Sequence, residues 1–248
     1  MIPSPILKAL STIRKRQVDH LLMGGQACVL YGAAEFSRDL DLALLPDPAN
    51  LDRLREALDD LDAEVIAIPP FQPEHLAAGL AVHFRCRHPD AEGLRIDIMT
   101  RMRGVDPFPD LWRRRTTLEF GAEVLEILSL PDLVAAKKTQ RDKDWPMIRR
   151  LVDVNYTSYR EEPTSERIAF WIRELRTPEL LLEIMQAHPD AVAEARPHRP
   201  LLELATEEEL TRALRDEEDA ERGEDAAYWR PLRAELSRLR HEARRTKH

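Results

Sequence analysis

Arg38-Asp39-Leu40-Asp41-Leu42-Ala43-Leu44-Leu45 is the segment on which the fold turns. Leu40, Leu42 and Leu44 alternate with Asp39, Asp41 and Ala43, the period of two that marks a β-strand. Successive side chains leave a strand on opposite faces, so Asp39 and Asp41 share one face and Leu40 and Leu42 the other. Two carboxylates so placed repel each other unless a cation or a proton lies between them. Hard oxygen donors suit Mg2+, which keeps several waters and bridges to phosphates; Mn2+ is an acceptable substitute. The plain alternative is a pair of aspartates facing solvent on an edge strand.

Working upstream, His20-Leu21-Leu22-Met23 is a short apolar run stopped by Gly24-Gly25, which predicts a buried strand entering a turn. Gln26 to Ala34 then reads as a helix. Gly24 and Gly25 are either an ordinary tight turn or a place where backbone approaches a phosphate closely. Downstream, Asp47-Pro48-Ala49-Asn50 reads as a turn leading into a helix over 51–61, with Leu51, Leu54, Leu58 and Leu61 on one side. Short strands are expected at 63–68, 81–86, 94–99 and 123–127, with a helix near 108–115. In the strand Arg95-Ile96-Asp97-Ile98-Met99 the aspartate alternates with isoleucines. Placed beside the first strand, Asp97 would complete a three-carboxylate cluster able to hold two metals.

Beyond Ser129 the texture becomes helical. Ser129-Leu130-Pro131-Asp132 is a helix start, and breaks are expected near Pro163, Pro178, Pro189, Pro197, Pro200 and Gly223. The charge run from Glu207 to Asp225 reads as a solvated helix face or a flexible connector. The expected fold is therefore an α/β (α+β) domain over 1–128, a mixed sheet flanked by helices, followed by an all-helical domain over 129–248. A ligand cleft is expected between them.

Composition narrows the class. The 248 residues carry 33% charged side chains and a formal net charge of -8, which argues against a general duplex-binding protein. No apolar run reaches the roughly 18 residues of a membrane span, and no signal peptide is legible. Only Cys28 and Cys86 are present, without zinc or disulfide spacing, so a reducing cytoplasm is the expected location. His83 and His88 flank Arg85-Cys86-Arg87 with a spacing that matches no metal motif, and read as strand-end and loop histidines.

The order of these features resembles the nucleotidyltransferase superfamily that includes polymerase beta. The run is an apolar strand, Gly-Gly, a short helix, Arg-Asp-Leu-Asp-Leu and a later strand with one aspartate. The likeness spans roughly residues 21–151. It is nearer to the small bacterial branches, including toxin-type members of abortive-infection and toxin–antitoxin systems. The resemblance implies Asp39 and Asp41 as the metal pair, Asp97 as third carboxylate and general base, and Gly24 and Gly25 on the phosphate side. It also implies ATP or another nucleoside triphosphate as substrate, with Ser37 and Arg38 beside it. The acceptor hydroxyl would belong to tRNA, a protein or a small molecule, and an antitoxin protein would be a partner. The toxin-type pattern of a lysine followed by a charged turn is matched by Lys137, with Lys138 beside it, and by Arg141-Asp142-Lys143-Asp144. A lysine suits triphosphate oxygens, and Asp144 would orient it or contact metal-bound water; the plain alternative is that Lys137 and Lys138 lie on an exposed helix face and Asp144 caps the helix starting at Trp145-Pro146. The pattern departs at Glu35, where many toxin-type relatives carry an arginine. Two rivals remain at this stage: a nucleotide-binding module without turnover, and an interaction protein whose helical half does the work.

Overall fold

The computed structural model describes residues 2–120 and 123–245. The chain divides into two compact units. One comprises Met1–Leu30, Ala34–Ala136 and Ala227–His248, the other Tyr31–Ala33 and Lys137–Ala226.

The first unit is built on a seven-stranded mixed sheet. Its strands are β1 (His20–Met23), β2 (Asp39–Leu44), β3 (Ala63–Val65), β4 (Val82–Cys86), β5 (Arg95–Met99), β6 (Thr116–Phe120) and β7 (Glu123–Ile127), in the spatial order β3-β4-β5-β2-β1-β7-β6. β2 lies inside the sheet, antiparallel to β1 and parallel to β5. The alternation of leucine and aspartate explains this: Leu40, Leu42 and Leu44 are fully buried, whereas Asp39 and Asp41 are half-buried on the other face. Burying each leucine contributes about 1.5–3 kcal/mol, so a one-residue slip that turned them outward is strongly disfavoured.

Helix α1 (Ser4–Lys15) buries Ile6, Ala9, Leu10 and Ile13, spaced on one helical face, and packs against the turn at 89–91 and the helix at 48–60. Helix α2 (Gly24–Leu30) follows β1 with no intervening loop. It starts two residues before the sequence places it, because Gly24 takes a positive φ of 66° that turns strand directly into helix, and it stops at Leu30 rather than Ala34, ahead of Gly32 with a positive φ of 77°. Helix α3 (Pro48–Asp60) is capped by Asp47, whose side chain accepts from Asn50 N, with proline in the first turn. Asn50 is fully buried and fastens the ends of β1 and β2. Its Oδ1 accepts from Asp19 N at 2.7 Å, and its Nδ2 donates to the carbonyls of Asp19 and Leu45 at 3.0 Å each. The expected strands over 63–68, 81–86, 94–99 and 123–127 are all present, the first three shortened and the last with the expected bounds. β6 was not legible in the sequence: it is an outer strand held by antiparallel pairing to β7, and its Thr-Thr start lacks an apolar run. Helices α4 (Pro73–Ala77), α5 (Phe108–Arg113) and α6 (Leu130–Lys137) complete the run before the second unit.

That second unit is helical: α7 (Asp144–Tyr159), α8 (Ser165–Glu174), α9 (Pro178–Ala187), α10 (Pro189–Ala195) and the first part of α11 (Glu207–Arg245). Trp171 is its largest fully buried side chain. It stacks edge-on against Tyr156 with ring centroids 5.1 Å apart, and its indole N–H donates to Asn155 Oδ1 at 2.8 Å. The proline breaks fall where expected, but Gly223 interrupts nothing. A glycine costs a helix about 1 kcal/mol, and the bonds of its neighbours offset this. Arg222 pairs with Glu218 one turn before it, and Asp225 accepts from Gln140 N at 2.9 Å. The charge run is thus ordered helix.

Among the described residues no helix is long and apolar enough to cross a membrane. Cys28 and Cys86 are both buried and unoxidised, and burial pushes the Cys86 thiol up to about 11. Thiolate, not thiol, attacks a disulfide reagent. The folded chain is therefore expected to leave Ellman's reagent unreacted over minutes at pH 8, with both cysteines titrating at once in denaturant.

Candidate active site

The site is assembled from the half-buried face of β2 and β5. In their parallel register Asp39 lies opposite Arg95 and Asp41 opposite Asp97, while Leu40 and Leu42 pair with Ile96 and Ile98 in the core. The alternation that buries the leucines and isoleucines thus sets three carboxylates and one guanidinium on a common face. Asp97 does not lie across the sheet from the other two.

Gly24 and Gly25 complete one wall, and each earns its place by what it admits. A Cβ on Gly24 would fall 1.9 Å from Asp41 Oδ2 and 2.4 Å from its Cγ. A Cβ on Gly25 would fall 2.6 Å from Ser37 Oγ. The space freed by the missing side chains is filled by the carboxylate of Asp41 and the hydroxyl of Ser37. Gly25 N donates to Asp41 Oδ2 at 3.3 Å, and Ser37 Oγ donates to Asp39 O at 3.2 Å. The glycine turn therefore seats the aspartate, a role that adjacency in sequence did not reveal. Ser37 links the turn to β2. Phe36 is 64% exposed and Arg38 is exposed beside it, its guanidinium carbon 5.7 Å from the ring centroid. Glu35 is exposed as well.

Asp97 is held differently. Arg95 Nε donates to its Oδ1 at 2.7 Å and Arg95 Nη2 to its Oδ2 at 2.8 Å, a two-pronged grip on both oxygens. His83, opposite Asp97 on β4, brings Nδ1 to 2.9 Å from Oδ1 and to 3.1 Å from Arg95 Nη2. When that nitrogen carries the proton it donates to the carboxylate; when it does not, it accepts from the guanidinium. Burial pushes the Asp97 pKa up, but the hydrogen bonds and charges of His83 and Arg95 outweigh it and hold the carboxyl below its usual range. Arg95 is raised, chiefly by the hydrogen bond to Asp97, with Asp39 and Asp41 adding to it. Sequence reasoning passed over Arg95 and treated His83 as an ordinary strand end. The signal was present for Arg95, which is two residues from Asp97 and so on its face. For His83 it was not, since only the β4–β5 register brings it there. Among the described residues no three His, Cys, Asp or Glu side chains converge into a group that would hold a metal by themselves.

Lys137, Lys138 and Asp144 belong to the second unit. Lys137 Nζ lies 3.6 Å from Asp144 Oδ1, with both side chains largely buried. Asp144 does not cap α7: Lys143 holds the N-cap position, and Asp144 is the first helical residue. Its Oδ2 instead accepts from Thr139 Oγ1 at 2.6 Å and Arg141 Nε at 2.7 Å, which fixes the turn after Lys137. Lys138 turns to Glu174 at 3.0 Å and Glu221 at 3.2 Å, a structural pairing inside the helical unit.

No protein-family model and no curated protein matches this chain. Among solved structures the chain is similar to an antigenic nucleotidyltransferase-like protein from Paracoccidioides brasiliensis. The match covers 86% of this chain and 94% of that one, at 15% identity and a TM-score of 0.33. At that level the functional reading rests on the residues of the site themselves.

Proposed function

We propose that this chain is a nucleotidyltransferase that moves a nucleoside monophosphate from a nucleoside triphosphate to an acceptor hydroxyl. The observation that carries the reading is the seating of Asp39 and Asp41 on one face of β2, with the Asp41 carboxylate packed into the space a Cβ at Gly24 would occupy. Two adjacent hard-oxygen side chains, one fixed by a backbone amide, fit Mg2+ or Mn2+, ions that bind through one or two carboxylates and complete their shells with water and phosphate. A divalent cation bound there supplies positive charge to the triphosphate oxygens.

The rest of the chemistry falls to the chain. Asp97, kept ionised by His83 and Arg95, accepts the proton of the acceptor hydroxyl. The hydroxyl oxygen forms a bond to the α-phosphorus, the α–β bridging bond breaks, and pyrophosphate departs with that electron pair. Ser37 and exposed Arg38 stand next to the metal pair in sequence and offer a hydroxyl and a guanidinium to the phosphates. Lys137, 3.6 Å from Asp144 within the second unit, is the lysine that the resemblance to toxin-type nucleotidyltransferases singles out. The acceptor, whether tRNA, a protein side chain or a small molecule, and any antitoxin partner follow from that resemblance alone.

One observation favours a second reading, a nucleotide-binding module without turnover: both oxygens of Asp97 are already engaged by Arg95. Titration with labelled ATP, GTP, CTP and UTP, with and without Mg2+, separates the two. Loss of an outer-shell contact costs a metal site about 10–100-fold, so Asp41→Asn, which removes a direct ligand, is expected to lower pyrophosphate release by more than about 100-fold. Metal-dependent binding without release, in the unaltered chain, would favour the module. Absence of nucleotide binding would remove both.

A further inference from the structure

Away from the acidic residues, the first unit contains a cavity of about 240 Å³. His20 and Leu22 of β1 line it, and the antiparallel register pairs them with Leu44 and Leu42, on the face of the sheet opposite Asp39 and Asp41. Leu10 of α1, Leu125 of β7 and Trp112 of α5 add apolar wall. The surrounding charges are all answered: Arg14 meets Glu123 at 3.0 Å, Arg53 meets Asp19 at 3.2 Å, and Arg115 meets Glu126 at 2.6 Å. Two polar groups of the wall are not. His20 Nδ1 lies 2.7 Å from Val18 O, which can only accept, so Nδ1 carries the proton and Nε2 the lone pair. Burial lowers the His20 pKa, which keeps the ring neutral. Among the described residues neither that Nε2 nor the indole N–H of Trp112 has a hydrogen-bond partner. The Trp112 ring itself is held by Phe108, stacked with centroids 5.7 Å apart, and by the Arg115 guanidinium carbon 4.1 Å from its centroid.

We propose that this cavity is a second ligand site, separate from the acidic face, for an uncharged two-ring heteroaromatic molecule that donates an N–H to His20 Nε2 and accepts from the Trp112 indole. Size sets the two rings: an apolar cavity of about 150 Å³ holds benzene, and 240 Å³ admits a second fused ring. Charge sets the neutrality, because an ionised ligand would meet only charges already paired and would lose its hydration without compensation. The unanswered acceptor and donor set the polarity of the ligand's edge, since each is costly to cover with an apolar group. Apolar walls with a few placed polar groups are the usual make-up of a small-molecule site. The inference goes beyond the nucleotidyltransferase reading and does not depend on it.

Benzimidazole, two fused rings with one N–H and one bare ring nitrogen, is the probe. Saturation-transfer NMR and calorimetry on the full chain at neutral pH are expected to show a single site, with Kd of about 1 mM or tighter. N-Methylbenzimidazole, which lacks the donor, and indole, which lacks the acceptor, are each expected to bind about tenfold more weakly or worse. In His20→Phe the penalty for methylation is expected to vanish, and in Trp112→Phe the preference over indole. A merely structural role for either ring would instead weaken all three molecules alike. ATP with Mg2+ is expected to leave bound benzimidazole in place. The proposal is overturned if the unaltered chain does not bind benzimidazole, binds the three molecules equally, or releases benzimidazole to ATP with Mg2+. None of these results bears on pyrophosphate release, so the enzyme reading is judged separately. Should either variant fold poorly by circular dichroism, the three-molecule series on the unaltered chain still decides.

Discussion

Gly24→Ala is expected to abolish divalent-cation binding and to lower pyrophosphate release by about 100-fold or more, the scale set by losing a direct ligand. Two independent penalties coincide at this position. The backbone of Gly24 has φ of 66°, and an L-residue held in the left-handed region costs about 1–2 kcal/mol. The new methyl would also lie 1.9 Å from Asp41 Oδ2, so the carboxylate must leave its seat. Asp41 is in the middle of the sheet, paired to Met23 on one side and Asp97 on the other, so its backbone cannot yield. The displacement therefore falls on the side chain that the site needs. Melting temperature and Mn2+ affinity, measured on the same preparation, check this. A variant that melts lower yet binds Mn2+ as tightly as the unaltered chain would show that the glycine serves only the turn.

The second large effect lies in the helical unit and concerns stability alone. Arg199 is almost completely buried, and its guanidinium donates to Ile172 O at 2.7 Å and Leu175 O at 2.9 Å, capping the end of α8. It also grips Glu217 through Nε at 3.0 Å and Nη2 at 2.9 Å, while Arg176 donates to the same carboxylate at 2.9 Å. Arg199→Leu strips two helix-end carbonyls of their donor and leaves Glu217 with one partner. Breaking one side of such a buried network costs about 3–5 kcal/mol, a large share of the 5–15 kcal/mol that holds a typical domain. Urea denaturation should register this as a lower midpoint at an unchanged slope. The network also carries a pH signature. Burial raises the Glu217 pKa, but Arg199 and then Arg176 lower it further, and the carboxyl ends below its usual 4.5. A carboxylate depressed on folding stabilises the chain above its unfolded pKa, and that contribution disappears as pH falls through the folded value. Glu217→Gln should therefore flatten the loss of stability on the acid side of about pH 4.5 and leave the slope above pH 6 as it was.

Most of the sheet could be read from residue order. Alternation in 39–44 and 95–99 gave both strands and the shared face of their aspartates, because a period of two is dictated by the pleat and not by neighbours. The leucine stripe of α3 and the proline punctuation of α7 to α10 were legible for the same reason: each rests on local stereochemistry. What failed locally was whatever depends on a partner strand or helix. β6 is held by β7, and Gly223 stays helical because its neighbours are tied to residues 80 and 85 positions away.

The candidate site divides along the same line. By itself the amino-acid order determined that Asp39 and Asp41 share a face, that Asp97 alternates with isoleucines, and that a glycine pair ends the preceding strand, since backbone geometry alone converts those patterns into directions. Only the tertiary structure decided that Gly24 makes room for Asp41, that His83 meets Asp97 across two strands, and that Arg95 has both oxygens of the third aspartate in its grip. Those facts are matters of register between segments, and register is fixed by the packing of the leucines and isoleucines on the opposite face, where the free energy of the sheet resides.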